Sequence, residues 1–141
     1  MKLLKLCGVP DHWIDKDHLI LHAAFQLLRD FVEHERPERI AWNHDPRSAK
    51  AWREIRSLYR WWTKIRPNRR SPLDVKGLKS PPMKFEPVPG KPYSQLAAYD
   101  NTKYLPYRRA LSRQATLDKR WFGEDQRNLH RLVEVRPFLW T

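Results

Sequence analysis

Residues 45–70 read DPRSAKAWREIRSLYRWWTKIRPNRR. Asp45 is a good helix N-cap, and Pro46 fits the first helical position, where its missing N–H is not needed. Pro67 marks the far end, because the residue before a proline is pushed away from the α region. The spacing therefore predicts a helix over 46–65. At 100° per residue, Ala51, Trp52, Ile55, Leu58, Tyr59, Trp62 and Ile65 fall within an arc of roughly 140°. Lys50, Arg53, Arg56, Arg60 and Lys64 fall opposite. Residues 59–70 alone hold four arginines, one lysine and three aromatic rings. Rings between arginines can stack single-stranded bases, but a stacking platform needs several exposed rings. The helical phase turns Tyr59 and Trp62 inward. Trp61, at the border of the stripe near Glu54, is the ring expected to be exposed.

Upstream, residues 17–35, DHLILHAAFQLLRDFVEHE, give the clearest amphipathic pattern. Ile20, Leu21, Ala24, Leu27, Leu28, Phe31 and Val32 recur at three- and four-residue spacing and predict one wide apolar face. Asp15 and Asp17 are placed to cap the start, and Pro37 stops the helix. Downstream, residues 67–92 carry seven prolines, a density that excludes a helix or a central strand. This run reads as an extended arm with interspersed lysines. A short helical turn over 94–99 is expected next, then helices over 107–122 and 124–135 with Gly123 as the cap between them. Phe138, Leu139 and Trp140 form an apolar tail. The expected fold class is mainly α: a single domain over 1–141, small and helical, with a long Pro-rich extended arm.

Composition narrows the function classes. The 141 residues include 28 basic and 16 acidic side chains, a formal charge of +12. Residues 45–70 hold nine basic and two acidic groups, so more than half the excess sits in one short segment. Localised charge of this kind points to an acidic partner. No stretch approaches the ~20 apolar residues that cross a bilayer, and the N-terminus lacks the apolar core of a signal peptide. The expectation is a soluble intracellular protein without a membrane partner. Cys7, the single cysteine, can make no internal disulfide and is read as a small buried hydrophobe.

No catalytic constellation stands out. His18 and His22 share a helix face at the i, i+4 spacing that can hold a metal, but no third ligand or H-E-x-x-H base accompanies them. Asn43-His44-Asp45 has residue types found in nucleases, yet Asp45 is better used as the helix cap. Cys7 has no placed base, and four glycines leave no phosphate-cradling loop. The reading is a protein that is not an enzyme and needs no cofactor. Its candidate binding residues for nucleic acid or an acidic protein surface are Lys50, Arg53, Arg56, Arg60, Trp61, Lys64, Arg66, Arg69 and Arg70, giving sequence-independent, salt-sensitive contact with phosphates.

Three segments carry a resemblance: ILHAAFQLLRDFVEHE at 20–35, the 42–67 segment with WNHDP and EIRSLYRWWTKIRP, and the closing EDQRNLHRLVEVRPFLWT. Together they resemble a group of small proteins from tailed bacteriophages. The likeness covers roughly half the chain and omits the Pro-rich arm. It implies a phage setting with the host cytoplasm as compartment, or the virion, and it brings no catalytic residue with it. An alternative expectation is a protein–protein role through the arm, as a virion component or an inhibitor of a host enzyme.

Overall fold

The computed structural model describes residues 4–139. The protein is mainly α-helical, with α1 at Lys16–His34, α2 at Pro46–Arg60, a short hairpin of β1 (Phe85–Pro87) and β2 (Ser94–Leu96), and α3 at Leu105–Val135. Where one domain was expected, the chain divides into two compact units: residues up to Arg69 together with those from Phe122, and Arg70–Trp121. Trp140 of the expected tail lies outside the described residues.

The first unit is built on aromatic packing. Leu21, Phe25, Leu28 and Phe31 of α1 meet Ile55 and Leu58 of α2, with Trp42, Trp61, Leu132 and Val135 completing the core. Phe25, just outside the expected stripe, is fully buried and stacked on Trp62 with ring centroids 4.6 Å apart. Ile20 and Leu27, expected in that face, are exposed. They lie at the far edge of an apolar arc wider than the core it packs on. Asp15 occupies the N-cap position without a side-chain bond, and Asp17 instead accepts from the N–H of His18. The helix closes through Arg36 in the left-handed region and the buried Pro37. Pro37 also accepts the indole N–H of Trp42 through its carbonyl, at 2.7 Å. Cys7 is exposed, contrary to expectation, because its segment meets α1 through a backbone N–H donated to Gln26 Oε1 rather than through its side chain.

Asp45 caps α2 as expected, accepting from the Ser48 N–H at 2.9 Å and from the Ser48 hydroxyl at 2.6 Å. The far end departs from a regular helix. Residues Trp61–Ile65 form a π-helical turn, in which the Arg66 N–H reaches the Trp61 carbonyl, and Arg66–Asn68 continue as a 3₁₀ turn through Pro67. In a regular α-helix the proline ring would meet the carbonyl four residues back, and a widened turn relieves that clash. Side chains then occupy carbonyls of the irregular turn: Thr63 Oγ1 donates to the Tyr59 carbonyl and Asn68 Nδ2 to that of Lys64. The wider turn also shifts the phase. Ile65, expected in the core, is half exposed and Trp62 is half-buried, while Trp61, which heads the turn, is only 5% exposed, packed with Leu132 and Val135 and bonded to Glu124.

The second unit contains most of the Pro-rich segment. It has a 3₁₀ turn at Pro72–Asp74, capped by Ser71, and the antiparallel hairpin pairing Phe85 with Leu96 and Pro87 with Ser94. A two-stranded hairpin has only edge strands, which is where a strand proline is tolerated. The expected helical turn over 94–99 is thus a strand followed by coil. Ser71 donates its hydroxyl to Gln114 Oε1, tying the segment to the first half of α3. Helix α3 itself is continuous where two helices were expected. Gly123 has no left-handed φ and sits inside the helix as an ordinary helical residue.

Candidate polyanion-binding face

The cations of the first unit fall into two populations. The first is neutralised internally. Arg66 forms a fork with Asp125, Nε to Oδ1 at 3.2 Å and Nη2 to Oδ2 at 3.1 Å. Arg69 Nη2 reaches Glu124 Oε2 at 2.9 Å and Asp125 Oδ1 at 2.7 Å. Both guanidiniums are largely shielded and lie over indoles, Arg66 on Trp62 and Arg69 on Trp61. Trp61 joins this cluster by donating its indole N–H to Glu124 Oε1 at 2.8 Å. Burial alone pushes the Asp125 carboxyl up, but hydrogen bonds and charge from Arg66 and Arg69 outweigh it and hold the group below its usual range. Arg66, Arg69 and Trp61, expected on the binding surface, therefore belong to the interior of the unit. Their partners lie more than fifty residues away along the chain.

The second population is unpaired. Lys50, Arg53, Arg56, Arg60 and Lys64 are exposed along α2 and its π turn. Among the described residues none of the five forms an ion pair. Arg56 lies 5.6 Å from the Trp52 ring centroid, which steadies the guanidinium without neutralising it. Arg56–Arg60 and Arg60–Lys64 are like charges at i, i+4, an arrangement that destabilises a helix. Arg53, Arg56 and Arg60 form one bank of an open groove of about 660 Å³, whose opposite bank is Arg127, Asn128 and Arg131 of α3. Arg131 is fixed there by Glu54 Oε2 at 2.8 Å, Asn128 Oδ1 at 2.8 Å and Ser57 Oγ at 3.1 Å. Arg127 has no carboxylate partner among the described residues. Sequence reading missed Arg127 and Arg131. Their i, i+4 spacing was visible, but nothing local placed them opposite α2. Arg70 is exposed and belongs to the second unit.

The two histidines of the i, i+4 pair differ in their surroundings. His18 is exposed, while the His22 ring packs edge-on against Trp62 with centroids 5.0 Å apart. Burial, then Arg66 and His18, push His22 down from its ordinary value, and its Nδ1 has no hydrogen-bond partner. Among the described residues no group of three or more His, Cys, Asp or Glu side chains could hold a metal ion. No described helix is long and apolar enough to cross a membrane. In comparisons with known proteins, the chain matches no family model, no curated protein and no solved structure.

Proposed function

We propose that this is a non-enzymatic binding protein of phage origin, working in the host cytoplasm, that engages nucleic acid through the basic face of α2. The observation that carries this reading is the contrast between the two cation populations. Arg29, Arg66, Arg69 and Arg131 each have a carboxylate, whereas Arg53, Arg56, Arg60 and Lys64 run along one face with none among the described residues. A ladder of like charges costs the free helix stability and becomes favourable when phosphates lie against it. Trp61 and Trp62 pack in the core, so the ladder offers no row of exposed rings, which favours phosphate contact over base stacking. Binding is then insensitive to sequence and falls steeply with salt.

Electrophoretic retention of mixed-sequence duplex DNA across a salt series tests this. Affinity is expected to fall by orders of magnitude between about 50 and 200 mM salt, and further with Arg56→Glu plus Arg60→Glu. Absence of binding by the wild-type protein at low salt would refute the reading.

A second reading is a protein–protein role for the Pro-rich segment, as a virion component or host-enzyme inhibitor. One observation favours it: Met83, Phe85 and Leu96 are 78%, 64% and 56% exposed on and beside the hairpin. Recovery of the protein in purified virions, or of one host protein with it, checks this.

A further inference from the structure

A second basic ladder lies on the first half of α3. Residues 70–121 hold eleven basic and four acidic side chains, a larger excess than the first unit carries. On α3 itself, Arg108, Arg109, Arg113, Lys119 and Arg120 are all exposed. At 100° per residue they occupy an arc of roughly 140°. Tyr107, Ala110, Gln114, Leu117 and Trp121, all buried or half-buried, occupy the arc opposite. The helix phase thus separates a packed side from an exposed side whose charged residues are all cations.

Carboxylates near the ladder on α3 are few: Glu124, four residues after Arg120, is taken up by Arg69 and Trp61. Asp118 is the one carboxylate within 105–121, and it lies toward the packed side, accepting from Gln114 Nε2 at 2.6 Å. Among the described residues, none of the five cations forms an ion pair. Arg109 and Arg113 stand at i, i+4 and repel each other, with Arg120 on the same line. Arg109 to Arg120 spans eleven residues, about 16 Å of helix. Arg53 to Lys64 spans the same number. A local rule broken twice, on two elements, with no carboxylate paired to either ladder among the described residues, marks a place where the missing anion comes from outside.

We infer that Arg109, Arg113 and Arg120 of α3, flanked by Arg108 and Lys119, form a second phosphate-binding ladder for double-stranded nucleic acid. This rests on the nucleic-acid reading of α2 and extends it: the ligand is a phosphodiester duplex, whose regularly spaced phosphates suit either ladder. The arc carries no exposed aromatic ring, so it too reads the backbone rather than the bases.

The test compares the salt dependence of duplex DNA binding by the full-length wild type, Arg109→Gln/Arg113→Gln and Arg56→Gln/Arg60→Gln. Each phosphate contact contributes about 0.9 to the slope of log affinity against log salt. The α3 variant is therefore expected to lose roughly two from the slope's magnitude, and Arg109→Lys/Arg113→Lys to keep it. A wild-type slope in the α3 glutamine variant overturns the second ladder and leaves the α2 reading standing. Failure of the lysine pair to keep the slope also overturns it, since the loss then comes from altered folding. No binding by the wild type overturns both readings. Loss in the α3 variant with none in the α2 variant supports this ladder and overturns the α2 face.

Discussion

At the scale of single residues, the two adjacent tryptophans show how one turn of backbone decides a role. Trp61 is nearly fully buried and its indole N–H is held by Glu124; Trp62 is half-buried and stacks on Phe25 and under Arg66. Trp61→Ala is expected to cost about 3–5 kcal/mol in urea unfolding, and Trp62→Ala less. The reverse order would mean that Trp61 is not packed against the C-terminal part of α3 in solution. Trp61→Phe keeps most of the packing but removes the donor to Glu124, with an expected loss of about 1–2 kcal/mol. Asp125 offers a test by pH. Its folded carboxyl titrates below the unfolded value, so its contribution is fully present above the unfolded pKa of about 3.9 and is lost as pH falls through the depressed folded one. Asp125→Asn should remove that part of the acid sensitivity. An unchanged stability–pH curve below about pH 4 would show that Arg66 and Arg69 do not hold the carboxylate in solution.

At the scale of elements, Gly123 separates two views of the C-terminal third. A glycine C-cap needs the left-handed region, and replacing it with alanine destabilises; a mid-helix glycine does the opposite. Gly123 lies within α3 with no left-handed φ, and a Cβ there first meets Arg127 Nη1, a flexible end, at 3.4 Å. Gly123→Ala is therefore expected to raise stability by about 0.5–1 kcal/mol, read as a higher denaturation midpoint. A loss would restore the two-helix view. The starts of α1 and α2 were legible in the sequence because Asp45-Pro46 and the Leu21–Leu28–Phe31 spacing are local signals. The continuity of α3 was not. Glycine followed by Glu124 and Asp125 mimics a stop and a new start, and those acids instead pair with Arg66 and Arg69. The same long-range pairing hid which arginines of 45–70 are free. The α2 ladder was legible from phase alone, whereas Arg127 and Arg131 across the groove depend on tertiary contact.

At the scale of the whole molecule, a charge of +12 makes two opposite responses to salt. The internal pairs Arg66–Asp125 and Arg69–Glu124 are largely shielded, so added salt screens them little. The exposed ladders of α2 and α3 repel within themselves, and salt relieves that repulsion directly. Relief of the exposed terms outweighs loss in the shielded ones. The free protein is therefore expected to melt at a higher temperature as salt rises from about 50 to 200 mM. Duplex DNA must do the reverse. At a free concentration of 100 times Kd it stabilises the folded state by about 2.7 kcal/mol at low salt, and that increment shrinks as counterions regain the phosphates. Melting curves with and without duplex should converge as salt increases, the free curve rising and the bound curve falling. A free protein that melts lower in added salt would show that attractive pairs, not the ladders, dominate its electrostatics, and would remove the argument that the ladders await an external anion.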